Sequence, residues 1–185
     1  MPVPAFARFY ENETLIPGPD RACGEDNLWT VLEFSHRLGN GRYEFIGLTG
    51  CWKYRHYPLS MVLEVGSFLP RFYSLIREAH DRFLSKVEIF WPRYHRDRGE
   101  EIYFVHTLKP VKICGLRLYF PNVKDRAAER STHLLRCDLR YDKIQWLVPR
   151  GHLVADARWP LFDTEDFQAT EEELAVLSAP MSETE

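Results

Sequence analysis

The chain contains no apolar run approaching the roughly 18 residues that a membrane-crossing helix needs, and no C-x-x-C pair among its four cysteines. It also has no nucleophile elbow, no phosphate-cradling glycine loop, no H-E-x-x-H and no internal repeat. The first absence argues against a helical membrane span in this sequence. The second argues against a zinc ribbon or a dithiol redox motif, and the others leave no motif that specifies a reaction. The opening MPVPAFARFYENE sets Pro2, Pro4, Arg8 and Glu11 where a signal peptide has its apolar centre. These absences predict a cytoplasmic protein with Cys23, Cys51, Cys114 and Cys137 as buried thiols. They give no reason to expect a cofactor, a metal or a catalytic residue.

Lysine is scarce as well: arginine supplies 18 of the 24 basic residues. Guanidinium makes forked contacts to phosphate and carboxylate and stacks on rings. Its distribution is uneven. Residues 1–155 hold 23 Lys+Arg against 18 Asp+Glu, a net of +5, whereas residues 156–185 hold Arg158 against 9 acidic residues, a net of -8; the two sum to the chain's -3. What is plentiful is apolar and aromatic material, 45% and 14% of 185 residues, enough for one ring-rich core.

Along the chain, residues 1–27 carry Pro2, Pro4, Pro17, Gly18 and Pro19 with little periodicity and read as an irregular N-terminal arm. Leu28 to His36 and Tyr43 to Thr49 read as a hairpin turning at LGNGR, and MVLEV at 61–65 as another strand. Ser67 as N-cap, with Phe68, Phe72, Leu75, Ile76, Ala79 and Phe83 at helical spacing, predicts one long helix over 68–85. Strands follow at 86–91, 101–108 and 111–120, then a short helix at 124–130. An alternation of Leu135, Cys137, Leu139 and Tyr141 is expected to turn at Asp142 and Lys143 into a partner strand at 144–148. Thr170 and Glu173 fit a capping box for a short terminal helix. The order predicts an α+β fold, a largely antiparallel sheet of about seven to nine strands packed on the long helix. It forms a single domain over 28–160, followed by an acidic tail over 161–185.

Two stretches mix rings with fixed positive charge, CWKYRHYP at 51–58 and FWPRYHRDRGEE at 90–101. Rings stack on bases while cations neutralise phosphates. The candidate surface is therefore Lys53 and Arg55 on a strand, with Arg93, Tyr94, His95, Arg96 and Arg98 on a nine-residue link projecting from the sheet. Arg117, Arg136 and Arg140 are to be tested for membership of the same patch. The partner expected is nucleic acid or a nucleic-acid-handling protein, bound without catalysis. The alternative is a protein adaptor or inhibitor acting through exposed aromatic and arginine anchors and the acidic tail. His133 and Cys137 stand four apart, but the alternation makes this segment a strand, where four residues span about 13 Å and cannot share one ion. His95, Asp97, Glu101 and His106 supply imidazoles near carboxylates, the minimal general-base pair, without a motif to direct them.

Overall fold

Phe9, Trp29 and Phe72 meet edge to face, with ring centroids 5.0 to 5.9 Å apart. Their meeting joins the first strand, the fourth strand and the helix in one core. In the computed structural model, residues 4–22, 25–46, 49–66, 69–77, 83–96, 99–121, 124 and 133–159 are described. The strands are β1 (Ala5–Glu11), β2 (Thr14–Ile16), β3 (Asp20–Ala22), β4 (Glu25–Ser35), β5 (Leu38–Ile46), β6 (Thr49–His56) and β7 (Leu59–Glu64). After helix α1 (Leu69–Arg77) come β8 (Leu84–His95), β9 (Gly99–Tyr119) and β10 (Leu134–Val148). A single 3-10 turn at Pro149–Gly151 leads into β11 (Leu153–Arg158).

Nine strands form one antiparallel sheet in the order β2-β1-β8-β9-β10-β7-β4-β3, with β11 added to β10. It folds over and closes on itself, because β1 pairs with β8 along its length and also with β4 through Ala5↔Val31 and Ala7↔Trp29. The result is a closed β-sandwich with its core inside. Alternation explains which side chains enter: Ala5, Ala7 and Phe9 of β1, Leu59, Met61 and Leu63 of β7, and Leu135, Cys137, Leu139 and Tyr141 of β10 are buried. Each large apolar side chain so buried contributes about 1.5–3 kcal/mol.

The α+β expectation is overturned: the protein is mostly β. The described helix is α1, nine residues long, which lays Phe72 and Leu75 onto the core. A helix this short is marginal alone and is held by tertiary contact; Arg71 pairs with the buried Glu11 of β1 and fixes it. The periodicity at Phe83 belongs to the approach to β8, not to a helix. Three further differences have local causes. The first 27 residues include β1, β2 and β3, since Pro17 and Pro19 fall between strands and interrupt none. The GNG segment lies inside β5, where the β5–β6 register shifts between Asn40 and Tyr43, so it makes a bulge and not the turn.

The third difference is that β9 and β10 are each continuous. At one register position both carry two consecutive residues outside the core, Lys109–Pro110 on β9 and Asp142–Lys143 on β10. The ladder skips Pro110, which has no N–H to give, and resumes on both sides. Further along, a register shift leaves Cys114 as an extra residue beside Gly115, opposite Asp138, so Cys114 is exposed, whereas Cys137 is the buried thiol expected. Cys23, the expected helix at 124–130 apart from Lys124, and the acidic segment with its capping box lie outside the described residues, as does the Cys51 side chain.

Candidate functional site

The segment from Pro92 to Glu101 is mostly strand. Pairing continues through Arg93↔Glu101, Tyr94↔Glu100 and His95↔Gly99, so β8 and β9 run on as strands through most of the expected nine-residue link. Gly99 takes φ +74 there, a left-handed conformation that glycine accepts without a steric penalty. Tyr94 is 69% exposed and Arg96 is exposed in the turn. Arg93 is engaged: its Nε and a terminal nitrogen both donate to Glu101 Oε1 at 2.7 Å, and its guanidinium lies 5.6 Å from the Tyr103 ring centre. Arg150 pairs with the same carboxylate. Arg98 and the His95 side chain lie outside the described residues.

Lys53 and Arg55 sit on β6, whose partner is β5, in a two-stranded sheet separate from the large one. Their side chains are outside the described residues. By strand pairing, then, the structure groups Arg93, Tyr94 and Arg96 at one hairpin tip and assigns Lys53 and Arg55 to another hairpin. Three other arginines are engaged elsewhere. Arg136 donates to Ser60 Oγ at 3.0 Å and lies 3.5 Å from Asp138, and Arg21 pairs with Asp26 at 2.9 Å. Arg140, at 4% exposure, is inside the protein with its guanidinium 4.6 Å from the Trp159 ring centre.

A second constellation was not foreseen. Tyr141 Oη lies 2.7 Å from His36 Nε2 and 3.0 Å from His56 Nδ1. A phenol has one proton and two acceptor lone pairs. It therefore bonds two neutral imidazoles by donating to one and accepting from the other, or by accepting from both. The His56 ring stacks on Trp159 at 5.7 Å and 17°, while Tyr141 meets the same indole edge-on. Next to them, Trp91 Nε1–H donates to His106 Nδ1 at 2.9 Å, and the His36 and His106 rings are 6.4 Å apart. Burial pushes His36 and His106 down to about 4, helped by His56 in the first case and by His36 in the second; burial also lowers His56 and raises Tyr141. The sequence signal for this cluster is slight. His106 and Tyr141 fall on alternating strands, but nothing in the order of residues brings His36, His56 and Trp159 to them. Among the described residues no group of three or more His, Cys, Asp or Glu side chains could hold a metal ion.

No family model matches the chain, and no curated protein matches it. Solved structures do. An Hcp protein shares the fold with a TM-score of 0.70 at 21% identity, over 84% of this chain and 97% of that one. The secreted protein Hcp3 from Pseudomonas aeruginosa does so with a TM-score of 0.65 at 19% identity, over 84% and 97%. A type VI secretion system effector from Yersinia pestis follows, with a TM-score of 0.61 at 10% identity, over 85% and 99%.

These likenesses and the pairing of the arginines overturn the nucleic-acid reading, both as function and as partner. The chain shares its architecture with secretion-system proteins, Arg93 and Arg136 lie against carboxylates, and Arg140 is buried against Trp159. The cytoplasmic expectation falls too, since a protein of this fold is described as secreted. The lack of an apolar span or signal centre therefore does not confine such a fold to the cytoplasm. What the comparisons establish is architecture: this chain has the Hcp fold.

Proposed function

We propose that this protein is an Hcp-like structural component of a type VI secretion system, exported and acting through contacts with other proteins, further copies of itself among them. The observation that carries the reading is the extent of the fold match, which runs over more than four-fifths of this chain and nearly the whole of each Hcp chain. A strand edge supports it. Among the described residues β11 pairs with the Lys143–Val148 half of β10 alone and exposes Leu153 and Val154 at 67% and 55%, and an exposed apolar edge strand is a template for another chain. Tyr94 and Arg96 at the β8–β9 tip offer residue types favoured at protein interfaces.

The test is export. The native chain is followed in cells and culture medium of its source organism, with the type VI apparatus intact and with it disabled. Appearance in the medium only when the apparatus is intact is the expected result. Equal release in both strains, or retention in both, rejects the reading.

A further inference from the structure

The β5–β6 hairpin is attached to the sandwich at its root. Its strands pair with each other and with no strand of the large sheet among the described residues. At the root Leu38 faces His56, Tyr57 N donates to Arg37 O at 3.3 Å, and the Arg37 guanidinium covers the Tyr57 ring at 4.8 Å. At the two ends of the hairpin stand His36 and His56, and both bond the same hydroxyl of β10.

The geometry points to a proton-operated clamp: neutral His36 and His56 grip Tyr141 and hold the hairpin against the sandwich, and protonating both imidazoles releases it. With two imidazolium rings, both nitrogens donate to the phenol and its own proton loses its acceptor among them. The surroundings then oppose the charge from several sides. His56 opposes a charge on His36, the His106 ring of β9 lies 6.4 Å from the His36 ring, and Arg140 of β10 lies under the indole on which His56 stacks. The Arg158 backbone of β11 bonds His56 and acts the other way, favouring its charged form against the larger effect of burial, and Arg37 flanks His36 in the chain. Asp142 of β10 enters through its backbone carbonyl, which accepts the Trp159 N–H at 2.6 Å. The acidic side chains on the neighbouring strands are turned to other groups, Glu33 of β4 toward Tyr119 and Glu101 of β9 to Arg93 and Arg150.

The direction follows from linkage. His36 is held down to about 4 when docked and returns to 6.5 when released. Acidification from neutral pH to about 4.5 then raises the opening equilibrium by roughly ten- to a hundredfold, the released state binding more protons.

The experiment is backbone hydrogen exchange read by mass spectrometry on the intact chain at pH 7.5 and 4.5, with each rate corrected for intrinsic exchange. Protection over residues 38–56 is expected to fall at least about tenfold on acidification, while β9 and β10 remain much better protected than the hairpin at pH 4.5. The double variant His36→Gln, His56→Asn, which cannot take up the protons, is expected to keep its hairpin protection at both values. Tyr141→Phe, which removes the shared hydroxyl and keeps the ring, is expected to lose hairpin protection at pH 7.5 and to show no acid step. The proposal is overturned by hairpin protection that ignores pH in the native chain. It is equally overturned by an undiminished acid step in either variant, or by loss of protection in β9 and β10 together with the hairpin, which would mean acid unfolding of the whole sandwich.

Discussion

At the scale of single residues, the placement of one proton decides what His106 can do. Indole N–H is a donor only, so the bond from Trp91 requires Nδ1 of His106 to keep its lone pair and puts the ring proton on Nε2. Protonating the ring ends that bond, so burial and the indole both favour the neutral form. Trp91→Phe should raise the His106 pKa from about 4 toward the ordinary value, read from the ring-proton shifts in an NMR titration; an unchanged midpoint means the indole has no part in it. The same logic fixes the pH dependence of stability. Groups pushed down from 6.5 to about 4, as His36 and His106 are, contribute stability that is fully present above pH 6.5. It is lost as pH falls through that window toward 4. Urea midpoints should therefore hold steady above neutrality and decline between pH 6.5 and 4, less steeply in His106→Gln, and a native-like slope in that variant counts against a buried neutral His106. None of this is legible in EIYFVHTL, because Trp91 lies fifteen residues upstream and meets His106 only across the β8–β9 pairing.

Elements were legible where alternation alone defines them and not where continuity depends on neighbours. MVLEV, KVEIFW and the run from Leu134 to Tyr141 read as strands and are strands, since period-two burial is a property of the segment itself. The nine-residue α1 was read as a much longer helix because Phe83 continues the same spacing by coincidence, and strand β10 was split because Asp142 and Lys143 resemble a turn. In the fold, β10 has β7 on one half and β11 on the other, and that pairing carries it through the polar pair. The turns carry their own constraint. Gly18, between β2 and β3, has the Leu28 carbonyl where a Cβ would go, with Trp29 Cδ1 2.7 Å from that point, whereas a Cβ on Gly99 would meet nothing within 4 Å. Gly18→Ala should therefore cost about 2–4 kcal/mol and Gly99→Ala about 1 kcal/mol, the latter from its positive φ alone. Denaturant unfolding of the two variants gives the comparison; equal losses would show that the β2–β3 crossing yields to a methyl group.

For the molecule as a whole, the exposed edge at β11 predicts self-association. Light scattering of the native chain should show a species larger than a monomer, and Val154→Lys should shift it toward the monomer with no change in unfolding midpoint, because Val154 is already in solvent. A native monomer at high concentration, or a variant with unaltered mass, would remove β11 from the contact. Composition and alternation by themselves determined a ring-rich core, antiparallel strands and the set of inward residues on β10, since these depend on what each segment buries. Closure of the sheet through β1 and β4, the pairing of arginines with Glu11, Glu101 and Asp138, and the meeting of His36, His56 and Tyr141 were decided by the tertiary structure. The reason is physical: each of these joins residues far apart in the chain, and counting charges or rings along a sequence does not reveal which carboxylate faces a guanidinium or which ring covers it.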